Sequence, residues 1–267
     1  MPGLPVALTI AGSDPSGGAG LQADLKVFHQ FGVYGEAVVT LATVQNTRKV
    51  LGVHCLPPEL VFAQIAAVIE DIPPCAAKTG ALGNREIVEA VAGAARAFLF
   101  PLVVDPVLIS KHGAPLLEDD ARQALVRLLL PRAFLLTPNL PEAAALSSLN
   151  VVDPVSMREA ARVLAGMGAR NVLVKGGHLS GETALDILYC DGSFHEFPSP
   201  RVNTVHTHGT GCSYSAAITA LLARGSALPE AVGLAKDWIT RAISTNPGLG
   251  GGSGPINHHA ELPHSKA

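Results

Sequence analysis

The sequence predicts an α/β fold: a mostly parallel central sheet covered by helices on both sides, three layers deep, with a small antiparallel edge. Strand-like and helix-like runs alternate along almost the whole chain. The strand-like runs, such as VALTIAG and PLVVDPV, are apolar on both faces, as strands buried between two helical layers must be. One pair of runs, ALDILYC and SFHEFPSP, is joined by Asp191-Gly192, a two-residue turn that favours an antiparallel hairpin.

Each element has its own warrant. PVALTIAGS (5–13) reads as a buried strand ending in a glycine turn. GLQADLKVFHQFG follows as a helix, with Leu21, Leu25 and Phe28 on one face. EAVVTLATVQ is a second strand, PELVFAQIAAVIEDI a helix begun by Pro58, and CAAKTGAL a short strand and loop. A helix over 84–97, the strand PLVVDPV, a helix over 119–130 and the strand AFLLTPN come next. Helices over 141–146 and 155–167 precede the strand NVLVKGG and the hairpin. Two final helices span 211–223 and 228–244, the last with Ala231, Ala235, Trp238 and Ala242 in one stripe.

With 267 residues, 48% of them hydrophobic and 15% charged, the chain has material for a large core. A net charge of −3 without a Lys/Arg cluster gives no reason to expect nucleic acid, so a small-molecule partner is expected. The start, MPGLPVALTIAGSDP, lacks the basic residues and apolar length of a signal peptide. The most apolar region, 90–110, is broken by Arg96, Pro101, Asp105 and Pro106, and no membrane span fits it. The four cysteines include no CxxC pair; Cys55, Cys75 and Cys190 have apolar neighbours and are expected in the core of a cytoplasmic protein.

In a doubly wound sheet, ligands bind where strands end and helices begin. The strand ends read GSDPSGGAG, TVQNT, KTG, VDPV, TPNLPE, KGGH and THGTGC, and they hold nearly all the unusual polar residues of the chain. Neither GxxxxGK[ST] nor GxGxxG occurs, which excludes the two common nucleotide fingerprints. Gly209, Thr210 and Gly211 can bring backbone N–H groups to an oxyanion at a helix start, or form an ordinary helix-capping turn. Cys212 is open to several readings: a dipole-stabilised thiolate, a nucleophile with His206 or His208 as base, or a metal ligand. The dyad is disfavoured, because residues this near in sequence seldom face each other. No ligand pair at metal spacing supports the third. A lysine ending the apolar strand NVLVK is costly unless it meets an anion, which marks Lys175 as functional.

Taken together, ALTIAGSDPSGGAGLQADLK, VQNT, KTGAL, VVDPV, LLTPNLPEAAAL, LVKGGH and RVNTVHTHGTGCSYSAAI resemble the hydroxymethylpyrimidine/phosphomethylpyrimidine kinases of thiamine biosynthesis, in the ribokinase-like superfamily. The resemblance runs end to end. It implies a single ribokinase-like αβα sandwich over 1–246, with 247–267 a Gly/His-rich C-terminal segment that is flexible or packs near the fold. It further implies ATP-dependent phosphoryl transfer, Mg²⁺ and a homodimer.

Carried over by position, Gly12, Ala19, Asp24 and Gln45 are expected at the aminopyrimidine, with Asp24 and Gln45 reading its amino group and ring nitrogen. Asp105 and Glu142 are expected near Mg²⁺ and the phosphates, and Lys175, Thr207, His208 and Lys236 on the ATP side. The loop Gly209, Thr210, Gly211 and Cys212 becomes the anion hole, with Cys212 within reach of the hydroxymethyl oxygen. Most sugar kinases of the superfamily carry aspartate at the Cys212 position, so this chain follows the pyrimidine branch. The rival readings are a pyridoxal/pyridoxine kinase on the same scaffold and a non-catalytic binding module. His258, His259 and His264 are expected in a polar tail rather than at a metal.

Overall fold

The strands are β1 (Val6–Ser13), β2 (Tyr34–Gln45), β3 (Val50–Cys55), β4 (Ala76–Thr79), β5 (Leu102–Val104), β6 (Leu135–Leu136), β7 (Val172–Val174), β8 (Thr183–Cys190) and β9 (Ser193–Pro200). The helices are α1 (Gly20–Gln30), α2 (Pro58–Asp71), α3 (Arg85–Ala94), α4 (Asp119–Ala124), α5 (Leu140–Ser147), α6 (Pro154–Gly166), α7 (Thr210–Ala223) and α8 (Leu228–Ser244). This computed structural model describes residues 3–109 and 116–263; His264 lies outside them. The described strands form one sheet in the order β3-β2-β1-β4-β5-β6-β7-β8-β9.

From β2 to β7 every pairing is parallel, so their carboxyl ends point the same way. The hairpin β8–β9 closes one edge antiparallel, and Asp191 takes a φ of 47° to make its turn. The opposite edge was not foreseen: Val50–Cys55 pairs antiparallel with β2. Its stretch carries Gly52 and half-exposed positions, so no clean apolar alternation announces it.

Alternate strand residues feed two cores. Leu8, Ile10, Leu102, Val104, Val172 and Val174 face one layer, with Val61 of α2, Ile87 of α3, Ala121 of α4, Ala143 of α5 and Met157 of α6. Ala7, Ala76, Val103, Leu135 and Leu173 face the other, with Phe28 of α1, Ile218 of α7 and Trp238 of α8. Each fully buried large apolar side chain contributes about 1.5–3 kcal/mol, which is why period-two strands between two helical layers dominate the chain's stability.

Local chemistry sets several ends. Asn84 caps α3 by accepting from Ile87 N–H, and reciprocal capping boxes open α5 (Asn139 and Glu142) and α6 (Asp153 and Ser156). Past α4 the helix expected to Leu130 widens into a π turn over Leu125–Leu129 and tightens at Leu130–Arg132, where Pro131 has no N–H to continue it. Cys190 is buried as expected, but Cys55 and Cys75 are exposed, because they sit at the end of the edge strand and just ahead of β4 rather than inside a strand. After Pro247 the chain folds back: Asn257 N–H donates to Ala242 O at 2.9 Å, Trp238 Nε1–H donates to Ala260 O at 3.1 Å, and Ile256 and Ala260 are buried.

Candidate active site

The carboxyl ends of β1, β2, β4, β5 and β7, together with the loops before α5 and α7, surround one cleft of about 1580 Å³. That exceeds the ~300–1,000 Å³ usual for one small ligand and suits two substrates side by side.

Two glycine loops meet on one wall. Gly209, the residue before α7, has φ 76°, and a Cβ there would lie 1.8 Å from Gly18 O. Only glycine allows so close an approach in that conformation. Asp14 organises the opposing loop by accepting from Ser16 N–H and Oγ–H and from Ala19 N–H, all at 2.8–3.0 Å. The His208 Nε2 lies 2.8 Å from Asp14 Oδ2, joining the two loops. Burial pushes the Asp14 carboxyl up, but His208 and Ser16 outweigh it and hold it below the usual range. The first-turn amides of α7 precede any partner within the helix; Thr210 N–H is taken by Thr207 O, which leaves those of Gly211 and Cys212 at the cleft.

Deeper in the cleft, Lys175 Nζ donates to Asp105 Oδ1 at 2.9 Å. Thr137 Oγ1 also donates to Oδ1 at 3.2 Å, and Ser215 Oγ to Oδ2 at 3.3 Å. Burial lowers the Lys175 pKa, yet Asp105 and Glu142 outweigh it and the lysine stays charged. For Asp105 burial raises the pKa, but Lys175 and Lys78 prevail and the carboxylate stays ionised. Glu142 is pushed up to about 7, first by burial and further by Asp105, against the pull of Lys175. Among the described residues no cluster of three or more His, Cys, Asp or Glu could hold a metal alone. Asp105 and Glu142 offer hard oxygen donors of the kind that hold Mg²⁺ together with phosphates and water.

At the far end of the cleft Lys236 donates to Asp186 Oδ2 at 2.7 Å, while Gly176 N–H donates to Asp186 Oδ1 at 2.9 Å. Under the α7 amides, Cys212 is only half-buried and lines the cleft. Burial pushes its thiol up to about 11; Lys78 pulls it down, while Asp24 and Asp105 push it further up.

Of the residues singled out in the sequence, Gly12, Ala19, Gln45, Asp105, Glu142, Lys175, Thr207, His208, Gly209, Thr210, Gly211, Cys212 and Lys236 all line the cleft. Asp24 does not. It is 0% exposed, and its Oδ2 accepts from Thr9 Oγ1–H at 2.6 Å and Lys78 Nζ at 2.8 Å, so it faces the sheet below the cleft rather than a ring within it. His208 and Lys236 reach the lining but spend their charges or dipoles on Asp14 and Asp186. Sequence reasoning passed over Asp14, Asp186 and Lys78. The argument that marked Lys175, a lysine inside an apolar strand, applies equally to Lys78 in CAAKTG and would have found it.

A parallel sheet between helical layers, with the start of α7 facing a lysine–carboxylate cluster across one cleft, is the arrangement of a small-molecule kinase of the ribokinase-like type. The family described as phosphomethylpyrimidine kinase matches residues 14–257, and the chain belongs to it. It is 49% identical to the hydroxymethylpyrimidine/phosphomethylpyrimidine kinase of Haemophilus influenzae, over 95% of this chain and 96% of that one. It is also 49% identical to a thiamine biosynthesis bifunctional protein of Geobacter sulfurreducens, over 94% of this chain but 51% of that protein, about half its length. Among solved structures, the ADP complex of Bacillus subtilis pyridoxal kinase superposes with a TM-score of 0.89 at 37% identity, covering 97% of this chain and 98% of that one.

Among the described residues no helix is long and apolar enough to cross a membrane.

Proposed function

We propose that the protein uses ATP to phosphorylate 4-amino-5-hydroxymethyl-2-methylpyrimidine and then its monophosphate, giving the diphosphate for thiamine biosynthesis. The observation that carries this reading is the placement of Cys212 and the α7 amides opposite Lys175 and Asp105 at one set of strand ends. Gly12, Ala19 and Gln45 line the same cleft and form the pyrimidine subsite, where the Gln45 amide can both donate and accept.

Phosphoryl transfer asks little covalent work of a protein; positioning and charge stabilisation dominate. Lys175 holds the transferring group by charge, and the amides of Gly211 and Cys212 receive its developing negative oxygens. Asp105 and Glu142 would hold Mg²⁺, which when bound would neutralise phosphate charge. Thr207, His208 and Lys236 border the nucleotide, His208 by fixing the loops and Lys236 from the far end. Cys212 accepts the hydroxymethyl proton, which requires its thiolate. The chain acts in the cytoplasm as a homodimer; the open sheet edge at β3, with exposed Leu51 on it, supports pairing there.

A second reading, pyridoxal kinase, is favoured by the close superposition on the Bacillus enzyme. A coupled assay with hydroxymethylpyrimidine, its phosphate and pyridoxal decides between them. The expected result is turnover of both pyrimidines, with kcat/KM for hydroxymethylpyrimidine above that for pyridoxal; the reverse order overturns the reading.

A further inference from the structure

Arg201 follows β9 at the open base of the hairpin, where its N–H donates to Glu182 O at 2.7 Å and prolongs the pairing one step beyond Thr183 and Pro200. Its side chain turns onto the loop between β7 and β8. Nε donates to Gly181 O at 2.7 Å, and one terminal nitrogen donates to Gly177 O at 2.8 Å. The other terminal nitrogen donates to Leu179 O. One planar fork thus gathers three carbonyls of a single loop, and no ion pair among the described residues uses its charge. The same loop is held at its start, where Gly176 N–H donates to the carboxylate of Asp186 that also takes Lys236. A Cβ on Gly176 would lie 1.9 Å from Leu185 O, and Gly181 has φ 98°, so glycine lets the loop press against β8 and turn its carbonyls to Arg201.

The sheet order fixes where this loop stands. β2, which ends at Gln45, is five strand spacings from β7, about 24 Å at the usual separation. Between them come the ends of β1, β4, β5 and β6, with Asp105 just after β5 and α7, which carries Cys212, packed over β1, β4 and β5. Lys175 follows β7, and the loop follows Lys175. Along the cleft the order is therefore pyrimidine subsite, transferring group, then loop 176–181. Gly177, Gly181 and Arg201 line the cleft there, and residues 201–204 lead along it to Thr207. We infer that Arg201 is a positioning residue for the nucleotide: it shapes loop 176–181, and the start of the segment leading to Thr207, into a rim for the part of ATP beyond its transferring phosphate. This rests on the ATP-dependent reading given above. Without the fork the loop samples more conformations, and the nucleotide must order it on binding.

The test compares Arg201→Met, which keeps the aliphatic stem but no donor, with Arg201→Lys, which keeps the charge but not the fork. Arg201 is exposed, so both variants are expected to fold. In steady-state kinetics with hydroxymethylpyrimidine, the methionine variant should raise the KM for ATP about tenfold, with kcat at saturating ATP and the KM for the pyrimidine within about twofold of the parent. Lysine should recover only a minor part of that loss. A return to the parent KM with lysine assigns the effect to charge alone and overturns the inference, as does an unchanged KM for ATP with methionine. A residue serving only the fold would lower Tm and raise both KM values alike, which also counts against it. Calorimetric binding of ADP with Mg²⁺ and no acceptor separates this inference from the choice of acceptor. Affinity weakened about tenfold in Arg201→Met sustains it even where pyridoxal proves the better substrate. Equal affinity of parent and variant sinks the inference and leaves the kinase reading standing, whereas a parent that does not bind ADP sinks both.

Discussion

The Nε2 of His208 lies 2.8 Å from Oδ2 of Asp14, a contact spanning 194 positions of sequence that fastens the loop over Asp14–Ala19 to the loop ahead of α7. The two loops are therefore held together by a buried side-chain contact. Asp14→Asn weakens it and loosens Ala19 and Ser16 as well. The expected outcome is a KM for hydroxymethylpyrimidine raised about tenfold, with a stability loss of about 1–3 kcal/mol in urea titration.

Lys175→Met removes the cation that Asp105 accepts from inside the cleft. Transition-state charge then has one donor fewer, and kcat should fall by about 10²–10³ in steady-state kinetics. Asp105 is left buried beside Glu142, so folding should also weaken, by about 3–5 kcal/mol.

Gly209→Ala places a methyl group against Gly18 O in a left-handed conformation. Both loops must separate, so kcat/KM should drop by at least about tenfold while Tm falls. Gly225→Ala is the control. It shares a positive φ of 88° but faces open space, and should cost about 1 kcal/mol without touching kinetics.

Stability should depend on pH with two opposite signs. Glu36, on β2 away from the cleft, is pushed up to about 7 by burial and then by Asp71. Its folded pKa exceeds the ordinary 4.5, so the folded chain holds the extra proton between those values and stability falls as pH rises from 4.5 to 7. Glu36→Gln should flatten that slope and stabilise the protein at pH 8 by up to about 3 kcal/mol, with kcat unchanged. Asp14 has a lowered pKa, so its contribution is present above 3.8 and is lost as pH falls through the lower folded value. Thermal melts from pH 3 to 8 of the two variants and the parent separate the contributions.

The sheet was legible because VALTIAG and PLVVDPV must be apolar on both sides, and each strand end carries its polar residues in a short, dense motif. Edge strand β3 escaped because one side faces solvent and Gly52 interrupts it. Cys55 and Cys75 were misplaced for a related reason: apolar neighbours report that an element is near the core, not which of its residues point inward. At the site, the cleft lining could be read from motifs, whereas pairing could not. Asp24 with Lys78 and Lys236 with Asp186 are joined across 54 and 50 positions, and neither partner announces the other in sequence.

The returning C-terminal segment also bears on how the protein can be dissected. Gly254 O accepts from His208 N–H at 3.0 Å, and the ring of His258 lies 3.2 Å from Ser213 Oγ on the first turn of α7. Burial, then Lys26, lowers the His258 pKa to about 4, so this contact is uncharged at neutral pH and insensitive to salt. A deletion of these last residues, made to tidy a glycine-rich end, would in effect be a mutation behind the turn that opens α7.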